Sequence, residues 1–473
     1  MTSTTAVSPP AGALPSSRRW AILAVILAAE VLDLIDATVT NLAAPAITAD
    51  LHGGPALVQW LGASYALALG VLLVVGGRLG DKYGRRRVFL TGLTGFTAAS
   101  VVCGLATGPE TLIAARLVQG AFGALLIPQG FGILGAAFPR DQIGKAFSAF
   151  GPVLGLSAVG GPILAATLID TDPFGLGWRS MFLINIVLGG AALAAAHRLL
   201  PRDTGERTTV IDTLGSALLA GAMSGLLFGL IDGSAHHWRP ASWTALAAGA
   251  AFFALFARRQ TTAASPLIQP SLFRNRGFVS GLVLGIAFFA AVSGLLYVVS
   301  LFLQGGLGYS PLRTALTGSA PMAAGIVIAS IACHQLIGRL GRTLILIGLL
   351  TTLTGTLALW AAVHTWGTTT GAAAIAPAAL AIGLGMGTCF GTVYDITLGD
   401  VTPDEAGSGS GALTAVQQLA NALGAAAVTT VYLHSPARPA HAMATSLLLV
   451  AGIALVCCCL VRLLPRAAQP QHH

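Results

Sequence analysis

The chain has 473 residues, of which 55% are hydrophobic and only 9% are charged. Its mean hydropathy is +0.80, whereas an average soluble domain carries about 25% charged residues. This composition excludes a soluble globule, because too few charged side chains are present to cover its surface. The net charge of +8 does not indicate a nucleic-acid partner, since the basic residues lie in short loops and not along one face.

Apolar runs of about 20 residues recur along the chain, which is the length a helix needs to cross a hydrocarbon core of roughly 30 Å. Short alternating strands, as in a membrane β-barrel, are absent from the pattern. The sequence therefore predicts an all-α polytopic membrane protein with about 14 spans. The predicted spans are 20–46, 57–77, 88–108, 112–138, 146–169, 181–200, 212–232, 241–257, 277–304, 313–337, 343–362, 371–398, 407–433 and 441–464.

The loops differ strongly in basic residues, with about 20 Lys and Arg on one side of the membrane and about four on the other. By the positive-inside rule, this imbalance predicts a protein of the plasma membrane with both termini in the cytoplasm. Arginine outnumbers lysine by 23 to two, a bias that suggests a GC-rich bacterial genome.

The string Gly-Arg-Leu-Gly occurs at 77–80 and again at 338–341, each time after an even-numbered span. This recurrence predicts an internal repeat of two six-helix bundles. The distance in sequence between the two strings exceeds the roughly 200 residues that six spans require. We therefore expect two additional helices to be inserted between the bundles. The predicted organisation is a cytoplasmic tail at 1–19, a first bundle at 20–200, an inserted two-helix region at 201–276, a second bundle at 277–464 and a tail at 465–473.

Three acids lie in the first span at intervals of three residues: Glu30, Asp33 and Asp36. At 100° per residue they occupy about 120° of one helix face. Three carboxylates near the middle of a bilayer cannot all ionise cheaply, which predicts a protonatable cluster facing a wet cavity. For any single acid, the alternative is a structural ion pair with the intramembrane Arg116.

The loop between the second and third spans has the pattern G-x-L-x-D-x-x-G-R and resembles the major facilitator superfamily. In that family the loop latches the two bundles on the cytoplasmic side, with the acid near a helix N-terminus and the arginines paired to acids. The resemblance implies a cytoplasmic gate, although these residues could also serve only as topology signals. The implied gate residues are Gly77, Asp81, Gly84, Arg85, Arg86 and Arg87.

Two further segments are similar to motifs of the superfamily. Arg116 and Gln119 belong to an R-x-x-Q-G string in the fourth span, and the resemblance assigns the arginine to proton coupling. The fifth span is similar to the glycine and proline pattern of antiporters, although a generic glycine-rich packing helix gives a similar pattern. The residues of that antiporter helix are Gly151, Gly155, Gly161 and Pro162.

The first span reads Ile35-Asp36-Ala-Thr38-Val-Thr40-Asn41-Leu-Ala-Ala-Pro45 and resembles the fourteen-span drug:proton antiporter family. The resemblance implies that Asn41 shares the proton and substrate cavity with the acids, Arg116 and Gln119. Tyr394 and Asp395, in the twelfth span, correspond to a cavity-lining helix of the superfamily and join this set.

The resemblance implies a proton-coupled antiporter that exports amphipathic, cationic small molecules or antibiotics by alternating access. Its partners would be a small-molecule substrate, protons and the lipid bilayer; it would be a monomer, with no nucleic acid and no cofactor besides the coupling proton. One alternative is a dedicated exporter of a single natural product or amino-acid derivative. A membrane sensor or a lipid-modifying enzyme is a further alternative, although the sequence has no metal spacing, phosphate-binding loop or nucleophile motif.

Overall fold

The computed structural model describes residues 15–139, 142, 150–172, 175–205, 212–235, 238–263, 266–333, 336–398, 401, 406–433 and 438–465. Within these ranges the chain is almost entirely helical and contains no β-strand. The helices of the first half are α1 (Ser16–Asp50), α2 (Pro55–Tyr83), α3 (Arg85–Gly104), α4 (Pro109–Gly123), α5 (Leu126–Ala137), α6 (Phe150–Thr171) and α7 (Arg179–Leu199).

The remaining helices are the inserted pair and those of the second half. The inserted pair is α8 (Thr213–Ala235) and α9 (Pro240–Thr262), followed by a short 3-10 helix at Pro270–Arg274. The second half contains α10 (Arg276–Leu301), α11 (Pro311–Thr314), α12 (Ala320–Cys333), α13 (Ile337–Leu340), α14 (Arg342–Trp366), α15 (Ala372–Leu398), α16 (Ala406–Leu433) and α17 (Pro439–Leu460). Two π-helical segments, Phe302–Gly306 and Ala315–Ser319, interrupt its first two spans.

Eleven helical segments in the described residues are long and apolar enough to cross a membrane. The all-α membrane fold is therefore confirmed, whereas the count of fourteen spans stays a prediction. The three predicted spans outside the eleven, 20–46, 146–169 and 407–433, overlap the long helices α1, α6 and α16 in the described residues.

Proline begins several of the helices. It occupies the first turn of α2, α4, α9, α11 and α17, where its fixed φ suits a helix and its missing N–H is not needed. All five helices start on the side that the charge pattern predicts to be extracellular. These prolines therefore stand where the predicted topology has the chain re-enter the membrane.

The two halves have separate cores at one end of the molecule and a common core at the other. One cluster of buried residues runs from Ile22 to Leu200 and belongs to the first half, and another runs from Leu284 to Leu464 in the second half. A third cluster joins Val39 and Leu42 of α1 to Tyr297 and Ala315 of the second half. The bundles are therefore sealed against each other at the end where α1 finishes.

The inserted helices differ in their positions. α8 packs against α2 and α16, so it contacts both halves, whereas α9 packs chiefly on α8. Ion pairs join the two helices at both ends, from Arg259 to Asp212 at 3.2 Å and from Arg239 to Asp232 at 2.5 Å. α9 is therefore peripheral, whereas α8 lies against both halves.

The two Gly-Arg-Leu-Gly strings lie at comparable bends of the two halves but in different registers. The first string is helical and the chain turns four residues later, at Gly84 with φ +93°, whereas the second string ends on the turn itself, at Gly341 with φ +48°. Both glycines immediately precede a long helix, α3 or α14. Positive φ is readily available only to glycine, which explains the residue at both bends.

Candidate functional site

Asp36 is the centre of a buried polar cluster among helices of the first half. Its side chain accepts a hydrogen bond from Arg116 Nη1 of α4, with which it forms an ion pair. Its Oδ1 atom also accepts from Gln119 Nε2 at 2.8 Å and from Asn185 Nδ2 of α7 at 3.2 Å. The carboxylate thus joins three helices, and only 3% of the residue is exposed.

The guanidinium of Arg116 is surrounded by hydrogen-bond acceptors and aromatic rings. Its Nη1 also donates to Gln119 Oε1 at 2.8 Å, and its Nε donates to the carbonyl of Leu61 in α2 at 3.3 Å. The guanidinium carbon lies 4.4 Å from the centre of the Tyr65 ring and 5.8 Å from that of Phe182, within cation–π range. A buried guanidinium is stable only with such neighbours, since an isolated charge in the bilayer is costly.

Asp33 has a different kind of partner, because its Oδ1 atom accepts a hydrogen bond from the hydroxyl of Tyr65. Tyr65 is a neutral donor, so a proton bound to Asp33 would break no ion pair with it. Glu30 lies one further turn from Asp36, beside α5, where a Cβ atom at Gly130 would be 3.7 Å from its Oε1. The three predicted acids therefore share one region but have unlike surroundings.

Two glycines of α4 bring Tyr65 into this position. A Cβ atom at Gly120 would lie 2.3 Å from the backbone oxygen of Tyr65, and one at Gly123 would lie 2.8 Å from its hydroxyl and 3.1 Å from Asp33 Oδ1. Any larger side chain would push α4 away from α2 and displace the phenol. The glycine of the R-x-x-Q-G string is thus required by helix packing.

The predicted antiporter helix, α6, lies between the two halves. It packs against α1, which carries the acids, and against α12 of the second half. Gly161 and Pro162 are buried, and Pro162 lies inside the helix. Gly151 and Gly155 are helical, but their surroundings lie outside what the structure describes.

The predicted gate loop makes its contacts within the first half and with the linker after α7. Arg85 pairs with Asp81 at 3.3 Å and donates to the carbonyl of Gly132 at 2.7 Å. Arg86 Nη2 donates to the carbonyl of His197 at 2.7 Å. The predicted pairing across the bundle interface is not among these contacts and stays a prediction.

Asp203 binds the N-terminus of α3. The resemblance instead places the acid of the loop motif, Asp81, near a helix N-terminus. The two carboxylate oxygens of Asp203 accept from the backbone N–H groups of Arg85 at 2.5 Å and Arg86 at 3.1 Å. Asp203 thus caps α3 and complements its positive end. No sequence pattern indicates this role, because Asp203 stands in a linker without a motif.

The other predicted cavity residues are placed less closely around the acids. Tyr394 packs in the second bundle, where its hydroxyl donates to Gln417 Oε1 at 2.5 Å and its ring meets that of Phe289 at 6.4 Å. Asp395 is exposed. The side chain of Asn41 lies outside the described part, and the role of these three residues in the cavity stays a prediction.

Tyr65 and Asn185 complete the cluster, although they were not among the predicted site residues. Asn185 donates to Ser100 Oγ at 2.8 Å as well as to Asp36. An amide within an apolar span is a signal for function or a buried partner, so Asn185 could have been found on that ground. Tyr65 gives a weaker signal, since tyrosine is also common as an interfacial anchor.

Polar contacts close the outer end above the acid cluster. Gln304 Nε2 of the second half donates to the carbonyl of Leu42 at 3.0 Å, and the N–H of Leu312 donates to Asp170 Oδ2 of α6 at 3.1 Å. Both contacts bridge the two halves. Together with the shared core, they join the two halves at the outer end.

Two helical bundles sealed at one end, with a buried charged cluster in the first of them, define a multi-span membrane transport protein. The sequence profile described as Major Facilitator Superfamily matches residues 26–425, and the chain belongs to that superfamily. The chain is therefore a membrane transporter of small molecules and not an enzyme.

Several known proteins are similar to this chain. It is 44% identical over 433 residues to a protein of Streptomyces coelicolor described as the probable actinorhodin transporter, covering 90% of this chain and 74% of the relative. It is 34% identical to the puromycin resistance protein of Streptomyces alboniger, covering 88% and 82%. The crystal structure of a peptide transporter POT in complex with sulfate superposes with a TM-score of 0.70 over 94% of this chain and 95% of that one, at 14% identity, which shows the fold alone.

Proposed function

We propose that this transporter is a proton-coupled antiporter of the fourteen-span drug:proton family. It exports amphipathic, cationic small molecules or antibiotics across a bacterial plasma membrane, as a monomer with both termini in the cytoplasm. The observation that carries the proposal is the imbalance of charge on α1, where three acids, Glu30, Asp33 and Asp36, lie near the guanidinium of Arg116, which pairs with Asp36 and is the one buried arginine among the described residues. The two remaining carboxylates need protons or a cation.

The contacts support a division of roles among the three acids. Asp36 is the partner of Arg116, so a proton on Asp36 would leave a buried guanidinium without its counter-charge. Asp33 is hydrogen-bonded to the neutral Tyr65 and can take up a proton without such a loss. Asp33, assisted by Glu30, is therefore the proposed proton carrier, and no cofactor besides the proton is needed.

Exchange follows if protons and substrate compete for the same negative charge. In the described state the outer end is closed by the Leu42–Gln304 and Asp170–Leu312 contacts, so a cation enters from the cytoplasmic end. Opening of the outer end would break these contacts by movement of α6 against α12, as in alternating access. A proton arriving from outside then displaces the cation, since each disfavours binding of the other.

A narrower substrate range is the second candidate. The relative that is 44% identical is named for one compound, actinorhodin, whereas others that match this chain are named as multidrug resistance proteins. A dedicated exporter of one natural product would keep the same proton site and differ only in the walls of its cavity.

The experiment is transport by the purified protein reconstituted in vesicles, with a panel of cationic dyes, neutral antibiotics and aromatic polyketides. Uptake that requires an imposed pH gradient and stops when a protonophore dissipates it supports antiport. Uptake of several cations supports the broad exporter, and uptake of one polyketide supports the narrow one. Uptake that is indifferent to the pH gradient contradicts proton coupling in either case.

A further inference from the structure

A groove on the outside of the first bundle runs between α3 and α7. Its volume is about 510 Å³. Leu90 and Thr94 form the wall on α3, and Gly190, Leu193 and Ala194 form the wall on α7. The Thr94 hydroxyl donates to the carbonyl of Leu90 at 2.8 Å, so this side chain has satisfied its donor within its own helix. The groove is thus apolar along most of its length.

One end of the groove is basic. His197 and Arg198 line it there, and the guanidinium of Arg86 lies against the same turn, because it donates to the carbonyl of His197. Arg86 is four residues before Leu90 in α3, and His197 is three residues after Ala194 in α7. Each wall therefore continues along one helix face from apolar residues into basic ones.

The other end of the groove closes where the two helices touch. A Cβ atom at Gly189 would lie 2.2 Å from Thr97 Oγ1, so α3 and α7 are in direct contact at that level. At the next residue, Gly190, a Cβ atom would meet no atom within 4 Å. From Gly190 to Arg198 the groove is about 12 Å long at 1.5 Å per residue, which approaches the roughly 15 Å depth of one leaflet.

The groove opens on the exposed face of α7, because Gly190, Ala194 and Arg198, which line it, are themselves exposed. On α7, Ile186, Val187 and Leu188 are exposed, Val187 to 70%. Large exposed aliphatic side chains on a membrane-spanning helix face lipid chains. The occupant of the groove must therefore be able to enter from the membrane.

We propose that this groove is a binding site for an anionic phospholipid. One acyl chain lies along Leu90, Gly190 and Leu193, and the phosphate lies beside Arg198 and His197 at the end of the bundle that carries the gate loop. The combination of an apolar channel one leaflet deep and basic side chains at headgroup level fits such a lipid. Because Arg86 of the predicted gate loop donates to the carbonyl of His197, the bound lipid would lie next to that loop.

Native mass spectrometry of the purified full chain tests the site with phosphatidylglycerol and phosphatidylcholine of identical acyl chains. We expect one phosphatidylglycerol to be retained in preference to phosphatidylcholine. Arg198→Gln should weaken phosphatidylglycerol binding about fivefold, the usual effect of one basic side chain at a membrane surface. Equal retention of the two lipids, or unchanged retention by Arg198→Gln, would overturn the proposal.

A second variant tests the groove itself. Gly190→Leu places a side chain in the open channel and should abolish retention of phosphatidylglycerol. Gly452→Leu is the matched control, because Gly452 is also an exposed glycine of a membrane helix with no atom near its Cβ position, and it should bind as the wild type does. Retention by Gly190→Leu equal to that of Gly452→Leu would also overturn the proposal, and if Gly190→Leu does not fold, Arg198→Gln decides alone.

Discussion

Asp36 and Arg116 form an ion pair between α1 and α4 in which each side chain is only 1% exposed. The pair lies within the first half and is completed by Gln119 and Asn185. A buried pair of this kind is costly to break from one side, because the remaining charge has no partner. It fixes the face of α1 that carries the other two acids.

Removal of one partner should therefore destabilise the fold strongly. Arg116→Gln or Asp36→Asn should cost about 3–5 kcal/mol of folding free energy, measured as a loss of thermal stability of the purified protein. The double variant should be more stable than either single one, because it contains no unpaired charge. Arg179→Gln is the control, since its pair with the half-exposed Asp50 is worth only about 0–1 kcal/mol. A double variant no better than the worse single one would refute this account.

The gate loop yields a prediction that separates stability from turnover. Asp203→Ala removes the cap of α3 and should lower stability by about 0.5–2 kcal/mol. Asp81→Asn disrupts only the exposed pair with Arg85 and should leave stability nearly unchanged while slowing transport. Thermal melting and transport rates of both variants provide the check. Unaltered transport by Asp81→Asn would remove that residue from gating, and equal stability of the two variants would argue against the cap.

Asp50 makes the stability of the outer end depend on pH. It lies at the end of α1, beyond the predicted span, and hydrogen bonds from Arg179 and then Trp178 hold the pKa of its carboxyl below the usual range. The unfolded chain has the ordinary value near 3.9, so the stabilisation is complete above that pH and is lost as the pH falls through the lowered pKa.

The melting temperature of the wild type should therefore exceed that of Asp50→Asn at about pH 7, and the difference should shrink at about pH 3. Both proteins are measured in the same detergent at both pH values. A difference that stays constant, or grows in acid, would contradict the ion pair.

Topology can be checked by chemical labelling of introduced cysteines. In a background without the native cysteines, Tyr83→Cys should react with an impermeant thiol reagent only after the cells are opened, and Thr107→Cys should react in intact cells. Both positions are exposed and are separated by α3 alone. Labelling of both from outside would contradict the cytoplasmic assignment of the gate loop.

Much of the fold followed from the sequence because membrane helices need long apolar runs, and eleven of the predicted spans overlap helical segments that are long and apolar enough to cross a membrane. Hydropathy says little about neighbours, however, since a residue facing lipid and one facing another helix are equally apolar. For this reason the sequence does not predict that α8 packs against both halves. The break between α4 and α5 at Ala124 and Leu125 likewise lies within a continuous apolar run.

The acid cluster was likewise only partly predictable from the sequence. Spacing placed Glu30, Asp33 and Asp36 on one face, because helical periodicity is a local property. The choice of Asp36 as the partner of Arg116 depends on how α1 packs against α4, which no local pattern encodes. Asp203 escaped notice because its carboxylate caps a helix more than 100 residues earlier in the chain.

The most direct test of proton coupling is gradient-driven uptake into inside-out vesicles by Glu30→Gln, Asp33→Asn, Asp36→Asn and the triple variant, with matched amounts of protein. We predict that Asp33→Asn loses uptake driven by the pH gradient but still exchanges bound substrate in the absence of a gradient, since proton release from Asp33 is removed while the carboxyl group of Glu30 remains to hold a cation. Full gradient-driven uptake by all three single variants and by the triple variant would show that the proton site lies elsewhere and would contradict the account.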